Sequence, residues 1–410
     1  MKIIDLFAGA GGLSEGFRQE GCEIVAHVEM DKSACNTLRT REAFYYLKEN
    51  NLLHIYKDYL LKNINRDVLY SNTPQTVLNR VIEAEINNKT IPIIFSRIDE
   101  LLGEDTVDLI IGGPPCQAYS TAGISRDPNR MKNDPRNYFY RYYIRFLRKY
   151  QPKMFVFENV RGILTAQDGR VFKNIRRNLN NAGYKMDYRI LNAKDFGVSQ
   201  IRERVIIIGW KKDINFKYPE FDLKIESPTI KDLFMDLPRI KAGESVSGKG
   251  EYVLEKNDAI KEIRNSEWDL LTQHISRPNN DIDLTIYKMV VDTWNKERRL
   301  LKYNELPSEL KTHKNDASFL DRFKMVRYET LSHTIVAHIA KDGHHFIHPD
   351  IKQNRSLTVR EAARIQSFPD DFYFEDSRTA AFKQVGNAVP PLMAKQLAKV
   401  IKLQQLHLLK

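Results

Sequence analysis

Along residues 1–209, short apolar runs recur at intervals, and most are followed by a stretch with helical spacing. Residues 2–7 (KIIDLF), 23–29 (EIVAHVE), 107–112 (VDLIIG), 154–158 (MFVFE) and 204–209 (RVIIIG) read as buried strands with turn residues beside them. Helices are predicted over residues 13–20 and from Ser33 onward. Residues 137–150 place Phe139, Tyr142, Tyr143, Phe146 and Leu147 at helical spacing and leave Arg141, Arg145 and Arg148 on the opposite face. Strands alternating with helices predict an α/β fold: a mostly parallel sheet covered on both sides.

Two regions break this rhythm. Residues 40–90 are polar, rich in Asn, Lys and Tyr, and read as a mainly helical insertion between two strands. Residues 211–355 lose the alternation; short β-like runs (252–254, 334–338, 345–348) sit among polar stretches. Helical patterns return at 358–367 and 391–409. A chain of 410 residues exceeds what one compact core usually holds. We therefore expect a large domain of residues 1–209 plus 377–410 and a smaller one of residues 210–376.

Composition narrows the class. The longest apolar runs are too short to span a bilayer, and Asp5 interrupts the place where a signal peptide needs its apolar core. Three cysteines, Cys22, Cys35 and Cys116, argue against a disulfide framework and for a reducing cytoplasm. The net charge of +11 suits a polyanionic partner or a merely soluble surface. Its distribution is uneven: eight basic residues between Thr121 and Tyr150 are opposed only by Asp127 and Asp134, whereas residues 211–355 are nearly neutral.

The candidate chemistry lies at strand ends. Residues 5–17 (DLFAGAGGLSEGF) form a strand, a glycine-rich turn and a helix, which either lets backbone approach a nucleotide-like cofactor or simply packs tightly. The spacing is not G-x-G-x-x-G, so an oxidoreductase reading fails. Glu29, at the next strand end, suits a ribose diol or is a solvated acid. In GGPPCQAYS, Cys116 follows a strand on the ligand side of an open α/β sheet. A thiolate there could be a nucleophile, although a lone Cys is more often a small buried hydrophobe. Residues 157–160 (FENV) place Glu158 at another strand end, as proton donor to a ring or as a helix cap. In FGVSQIRER, Arg202 and Arg204 alternate with Glu203 and so share a face, fit for a phosphate or carbonyl oxygen or for surface ion pairs.

Together these segments resemble the DNA (cytosine-5) methyltransferases, the bacterial restriction–modification type in particular. DLFAGAGGLSEGF, VEMD, GGPPCQAYS, DPRNYFY, ENV, FGVSQIRER, SLTVREAARIQSFPDDF and QVGNAVPPLMAKQLA occur in that family's order from residue 5 to about 398. The resemblance implies a Rossmann-like S-adenosylmethionine-dependent methyltransferase fold with a smaller target-recognition domain. It implies that Cys116 attacks C6 of a flipped-out cytosine, Glu158 holds the N3 edge, Arg204 reaches O2 and Arg202 orders the pocket or a nearby phosphate. Phe7, Ala8, Gly9, Gly11 and Gly12 would line the S-adenosyl-L-methionine site, with Glu29 on the ribose, Met30 against the adenine, and Pro114, Asn387 and Ala388 bordering it. The family's Gly-Asp-Ile turn departs here; Ile98 and Asp99 are its nearest counterpart.

On the same resemblance, Gln117, Ser120, Arg126 and Arg130 of a mobile catalytic loop would close on double-stranded DNA, with Gln200 at a structural and backbone-contact position. Residues 265–313, with Arg277, Arg298 and Arg299, are the expected reader of base sequence. No metal is expected. The chain would act as a monomer in the cytoplasm, away from membranes, and protect DNA from a cognate restriction endonuclease. Two alternatives stand beside this: a tRNA cytosine-5 methyltransferase, which has a shorter recognition region, and a non-catalytic DNA-binding regulator, which would lack the Cys or the Glu.

Overall fold

The computed structural model describes residues 1–115, 139–221, 225–255, 257–265, 267–312, 315 and 317–408. Its main sheet contains β1 (Lys2–Leu6), β2 (Glu23–Glu29), β3 (Val81–Glu83), β4 (Leu109–Gly112), β5 (Met154–Asn159), β6 (Tyr184–Asn192) and β7 (Glu203–Lys211). Their order is β3-β2-β1-β4-β5-β7-β6, and β7 alone runs against its neighbours. A separate antiparallel pair joins β8 (Ser245–Lys249) to β9 (Leu270–Ile275). The helices are α1 (Gly12–Gln19), α2 (Lys32–Glu49), α3 (Leu53–Leu60), α4 (Arg66–Ser71), α5 (Gln75–Leu78), α6 (Ile91–Leu102), α7 (Phe139–Tyr150) and α8 (Arg170–Asn181). They continue with α9 (Ile230–Phe234), α10 (Asp281–Glu297), α11 (Val359–Ile365), α12 (Arg378–Asn387) and α13 (Pro391–Leu408). No helix among the described residues is long and apolar enough to cross a membrane.

The continuous apolar runs are explained by burial on both faces. Successive strand residues enter different cores: Ile3, Leu109, Ile111 and Val156 face α1 and α13, whereas Ile4, Ile110 and Phe155 face α6, α7 and α8. On the first face, α1 lies so close to α13 that a Cβ at Gly16 would come 2.3 Å from Lys395 N. A Cβ at Gly12 would come 2.2 Å from Val389 O. These glycines are therefore required by backbone contact between the two ends of the chain.

Two strands differ from the sequence expectation. β3 lies inside the 40–90 region, so that segment is helical but carries a sheet edge; three residues are too few to stand out as a period. β6 is an edge strand of mixed polarity, largely half-buried or exposed, and lacks an apolar run. The expected strands at 252–254, 334–338 and 345–348 do not form; residues 337–340 make a 3-10 turn, and Ile347 makes isolated bridges to Met325 and Ser356.

The core does not break at residue 210. Ile230, Leu233, Leu271, Val359 and Phe374 join the cluster that holds Ile3, Phe17 and Ile401. A distinct cluster gathers Ile286, Tyr287, Val290 and Val291 of α10 with Tyr303, Phe323 and Ile347. Within the first cluster, α11 is wholly buried, charges included. Thr358 caps its Glu361 in a reciprocal capping box. Arg364 reaches Asp236 at 2.5 Å and Asp370 at 2.6 Å, and Arg264 adds a second cation at 2.8 Å from Asp236.

A buried carboxylate stripped of its cation is costly. Arg364→Met should lower unfolding free energy by about 3–5 kcal/mol, read as a lower urea midpoint. Burial opposes ionisation of Asp370, but Arg364 and Arg360 outweigh it and hold its pKa below the ordinary value. That contribution is complete above the unfolded-state pKa and fades as pH falls through the depressed folded value. The gap between wild type and variant should thus narrow on acidification; a gap that widens contradicts the assignment.

Candidate functional site

Ligands of open α/β sheets bind beyond the carboxyl ends of the strands, where the strand order reverses. Here that point lies between β1 and β4. The chain leaves β1 through Phe7 (φ 56°), Gly9 (φ 55°) and Gly11 (φ 79°), all in the left-handed region. Glycine meets this demand freely and Phe7 does not, so Phe7 is held there by its surroundings. Ala8 N donates to Val28 O at 3.2 Å, and Gly11 N to Ala8 O at 2.9 Å. A Cβ built on Gly9 would meet nothing within 4 Å, so the turn opens onto free space.

Glu29 closes one side of this space. Gly9 N donates to one carboxylate oxygen, and Met30 N and Asp31 N to the other, each at 2.8 Å. Burial nevertheless dominates and raises its pKa. Met30 is 61% exposed beside it. Asp31 caps α2 through Ala34 N and pairs with Lys383 of α12 at 2.7 Å. Asn387, at the end of α12, is exposed, and the Cβ position of Gly12 lies 3.2 Å from Ala388 Cβ. An open glycine turn, a hydrogen-bond-oriented acid and an exposed thioether suit a nucleoside-type cofactor.

Ile98 and Asp99 do not join this group. They lie within α6, where Ile98 is fully buried and Asp99 pairs with Lys149 of α7 at 2.8 Å. The strand end beside Glu29 belongs to Glu83, its register partner on β3. Ala84 N donates to Glu29 O at 2.8 Å, and Arg39 holds the Glu83 carboxylate at 3.1 Å. The sequence signal was slight: Val81 and Ile82 followed by an acid inside a polar region.

The second half of the site lies across β4, β5 and β7. Gly112 (φ 148°) passes 2.1 Å, at its Cβ position, from Leu6 O. The Cβ position of Gly113 is 2.5 Å from Glu158 Oε2, so only glycine lets the chain run past that carboxylate. Asn159, 1% exposed, donates through Nδ2 to Pro114 O at 3.1 Å and so anchors the chain just before Cys116. Cys116 itself, with Gln117, Ser120, Arg126 and Arg130, lies outside the described residues. Glu158 pairs with Arg204 Nε at 2.8 Å, both about 15% exposed, and Arg204 also donates to Glu203 O at 2.7 Å. Behind them, Tyr143 of α7 places its hydroxyl 2.9 Å from Ile110 O and 3.0 Å from Val156 O.

Burial redirects Gln200 and Arg202, and pairing engages Arg277 and Arg299. Gln200 is fully buried; its amide donates to Gln366 and accepts from Ile335 N at 2.9 Å, so it has no path to DNA. Arg202 is 1% exposed and donates to Ile335 O (2.6 Å), Gly386 O (3.3 Å) and Ala388 O (2.9 Å). It clamps the start of β7 to two distant segments, at Ile335 and at residues 386–388, and is buried away from any phosphate. Arg277 spends its guanidinium on the carbonyls of Ile339, Ala340 and Lys341 at 2.9–3.1 Å. Arg299 is exposed and ion-pairs at the surface with Glu297 and Glu305, which leaves it open to a further partner. Arg298 ends α10 in the left-handed conformation and is exposed.

The comparisons agree with this geometry. A family model described as C-5 cytosine-specific DNA methylase matches residues 1–76 and 75–403. A type II methyltransferase, M.Bpa9945I of Bacillus paralicheniformis, is 42% identical, covering 98% of each chain. M1.HphI of Haemophilus parahaemolyticus is 30% identical over 98% of this chain and 86% of its own. Among solved structures, an E. coli prophage-encoded protein described as a DNA modification methyltransferase superposes with TM-score 0.65 at 22% identity, covering 98% of each chain. The Entamoeba histolytica methyltransferase EhMeth gives 0.54 at 16% identity, covering 99% of this chain and 98% of its own. With the family model spanning nearly its whole length, the chain belongs to the C-5 cytosine-specific DNA methylase family.

Proposed function

We propose that this enzyme marks a specific duplex DNA sequence by cytosine-5 methylation with Cys116 as nucleophile, as the modification partner of a restriction endonuclease. Family membership carries the reaction class. The type II naming of its relatives supports the restriction–modification role. The observation that supports the residue roles is the Glu158–Arg204 pair held against Gly113, three residues before Cys116.

Cytosine C5 is a poor nucleophile. Addition of the Cys116 thiolate at C6 forms the S–C6 bond and leaves C5 electron-rich. Glu158 binds the N3 edge and supports that charge shift, while Arg204 orients Glu158 and is within reach of O2. S-adenosylmethionine, held by residues 7–12, Glu29 and Met30, supplies the methyl group when bound. Transfer of the C5 proton to water re-forms the C5=C6 bond as the S–C6 bond breaks, which restores the aromatic ring and the Cys116 thiolate. The base must leave the duplex for this, at a cost of a few kcal/mol. Residues 265–313 are the proposed reading unit, with exposed Arg298 and Arg299 its remaining arginine candidates.

Cys116→Ser should abolish the denaturation-resistant adduct with 5-fluorocytosine DNA; an adduct that persists moves the nucleophile elsewhere. Glu158→Gln should slow methyl incorporation by about 10²-fold or more while DNA affinity stays within about threefold. An unchanged rate would leave Glu158 a structural partner of Arg204. Glu29→Gln should weaken S-adenosylmethionine binding by about tenfold, roughly the loss of one charge-assisted hydrogen bond, measured by calorimetry. Label transferred to tRNA and absent from DNA would favour the tRNA enzyme.

A further inference from the structure

We infer that the exposed basic face of α8 is a track for the phosphates of duplex DNA flanking the methylated site. The inference rests on the DNA methyltransferase reading and extends it to a surface remote from the reacting base. Residues 161–194 hold eight basic residues against Asp168 and Asp187, an excess of +6 in a chain of net +11. Within α8 itself Val171, Ile175 and Leu179 are buried, Arg170, Lys173, Arg176 and Arg177 are exposed, and there is no acid.

Helix stability does not account for this face. Like charges at i,i+3 and i,i+4 repel, and cations in the first turns oppose the helix dipole. Nor do local acids neutralise it. Asp168 lies 3.9 Å from Arg170 with both side chains largely in solvent. Arg177 donates to Asn174 at 3.2 Å, and Arg176 lies over Phe172.

Topology aims the row. β5 ends at the rim with Glu158 and Asn159; Arg161 follows and pairs with Glu203, the neighbour of Arg204, at 3.4 Å. β6 runs parallel to β5 because both are antiparallel to β7. The intervening α8 must therefore descend from that rim along the β6 edge. Arg170 and Lys173 stand at its rim end, with Arg176 and Arg177 about one to two turns of 5.4 Å below. The track thus starts beside the Glu158–Arg204 pair and leads away from it. Single strands would need exposed stacking platforms. The nearby rings, Phe172 and Tyr188, are half-buried and packed on each other at 4.9 Å, so duplex phosphates are the fitting ligand.

The test compares duplexes of about 12 and about 40 base pairs, each centred on the sequence found methylated by bisulfite sequencing. For Lys173→Glu/Arg176→Glu/Arg177→Glu, affinity for the long duplex should fall by at least about tenfold, with a log–log salt slope shallower by about 2–3. Affinity and turnover on the short duplex should stay within about twofold of wild type. Replacement of the same residues by Gln should give the same length dependence at smaller amplitude, which separates charge from folding. Equal losses on both duplexes, or none on either, overturn the track. Wild-type enzyme that methylates DNA while the variants keep its length dependence sinks the track alone; wild-type enzyme that neither binds nor methylates DNA sinks the underlying reading.

Discussion

The antiparallel insertion of β7 between β5 and β6 is the constraint on which the site depends. In a parallel sheet every strand begins at the same end, so the first residues of one strand cannot meet the last residues of its neighbour. Reversing β7 brings Arg204, near its start, beside Glu158, near the end of β5, on the ligand side of the sheet. A cation and a carboxylate from segments 46 residues apart in sequence become one oriented pair. The close passage of Gly113 then sets the chain that leads to Cys116 directly against that pair.

The rest of the molecule holds this arrangement in place. Arg202, two residues before Arg204, is buried among the carbonyls of Ile335, Gly386 and Ala388. Gln200 and Gln366 extend the same clamp, since Gln366 Nε2 donates to Val385 O at 2.6 Å. The C-terminal segment is thereby tied to the start of β7, and the close contacts at Gly12 and Gly16 bring it against α1. The glycine turn, the C-terminal segment and the Glu158–Arg204 pair are thus parts of one packed unit. Distortion in any of them should be felt in the others, because buried polar clamps have few alternative partners.

Electrostatics divides the surface differently from the core. Buried charges such as Arg364, Asp236 and Asp370 are matched cation to anion and serve packing. Among the described residues, unbalanced positive charge lies on the exposed face of α8. Residues 211–355 are nearly neutral by contrast, so the charge is not spread evenly over the chain.

Strand runs buried on both faces were legible in the sequence, because apolar continuity is a local signal: β1, β2, β4, β5 and β7 fall where it placed them. So were the positions of the glycine turn, Glu158 and Arg204 at strand ends, which the ordered motifs marked; Cys116 lies outside the described residues. The short edge strand β3 and the amphipathic edge strand β6 were not, because neither carries an apolar run. Nor could the sequence tell that Arg202, Gln200 and Arg277 point inward while Arg204 keeps to the rim. An arginine reads the same whether it meets solvent or three carbonyls from elsewhere in the chain, and only the tertiary packing supplies those carbonyls. Ile98 and Asp99 fell to the same limit: the acid at the end of the strand next to Glu29 is Glu83, and strand adjacency is a property of the folded sheet.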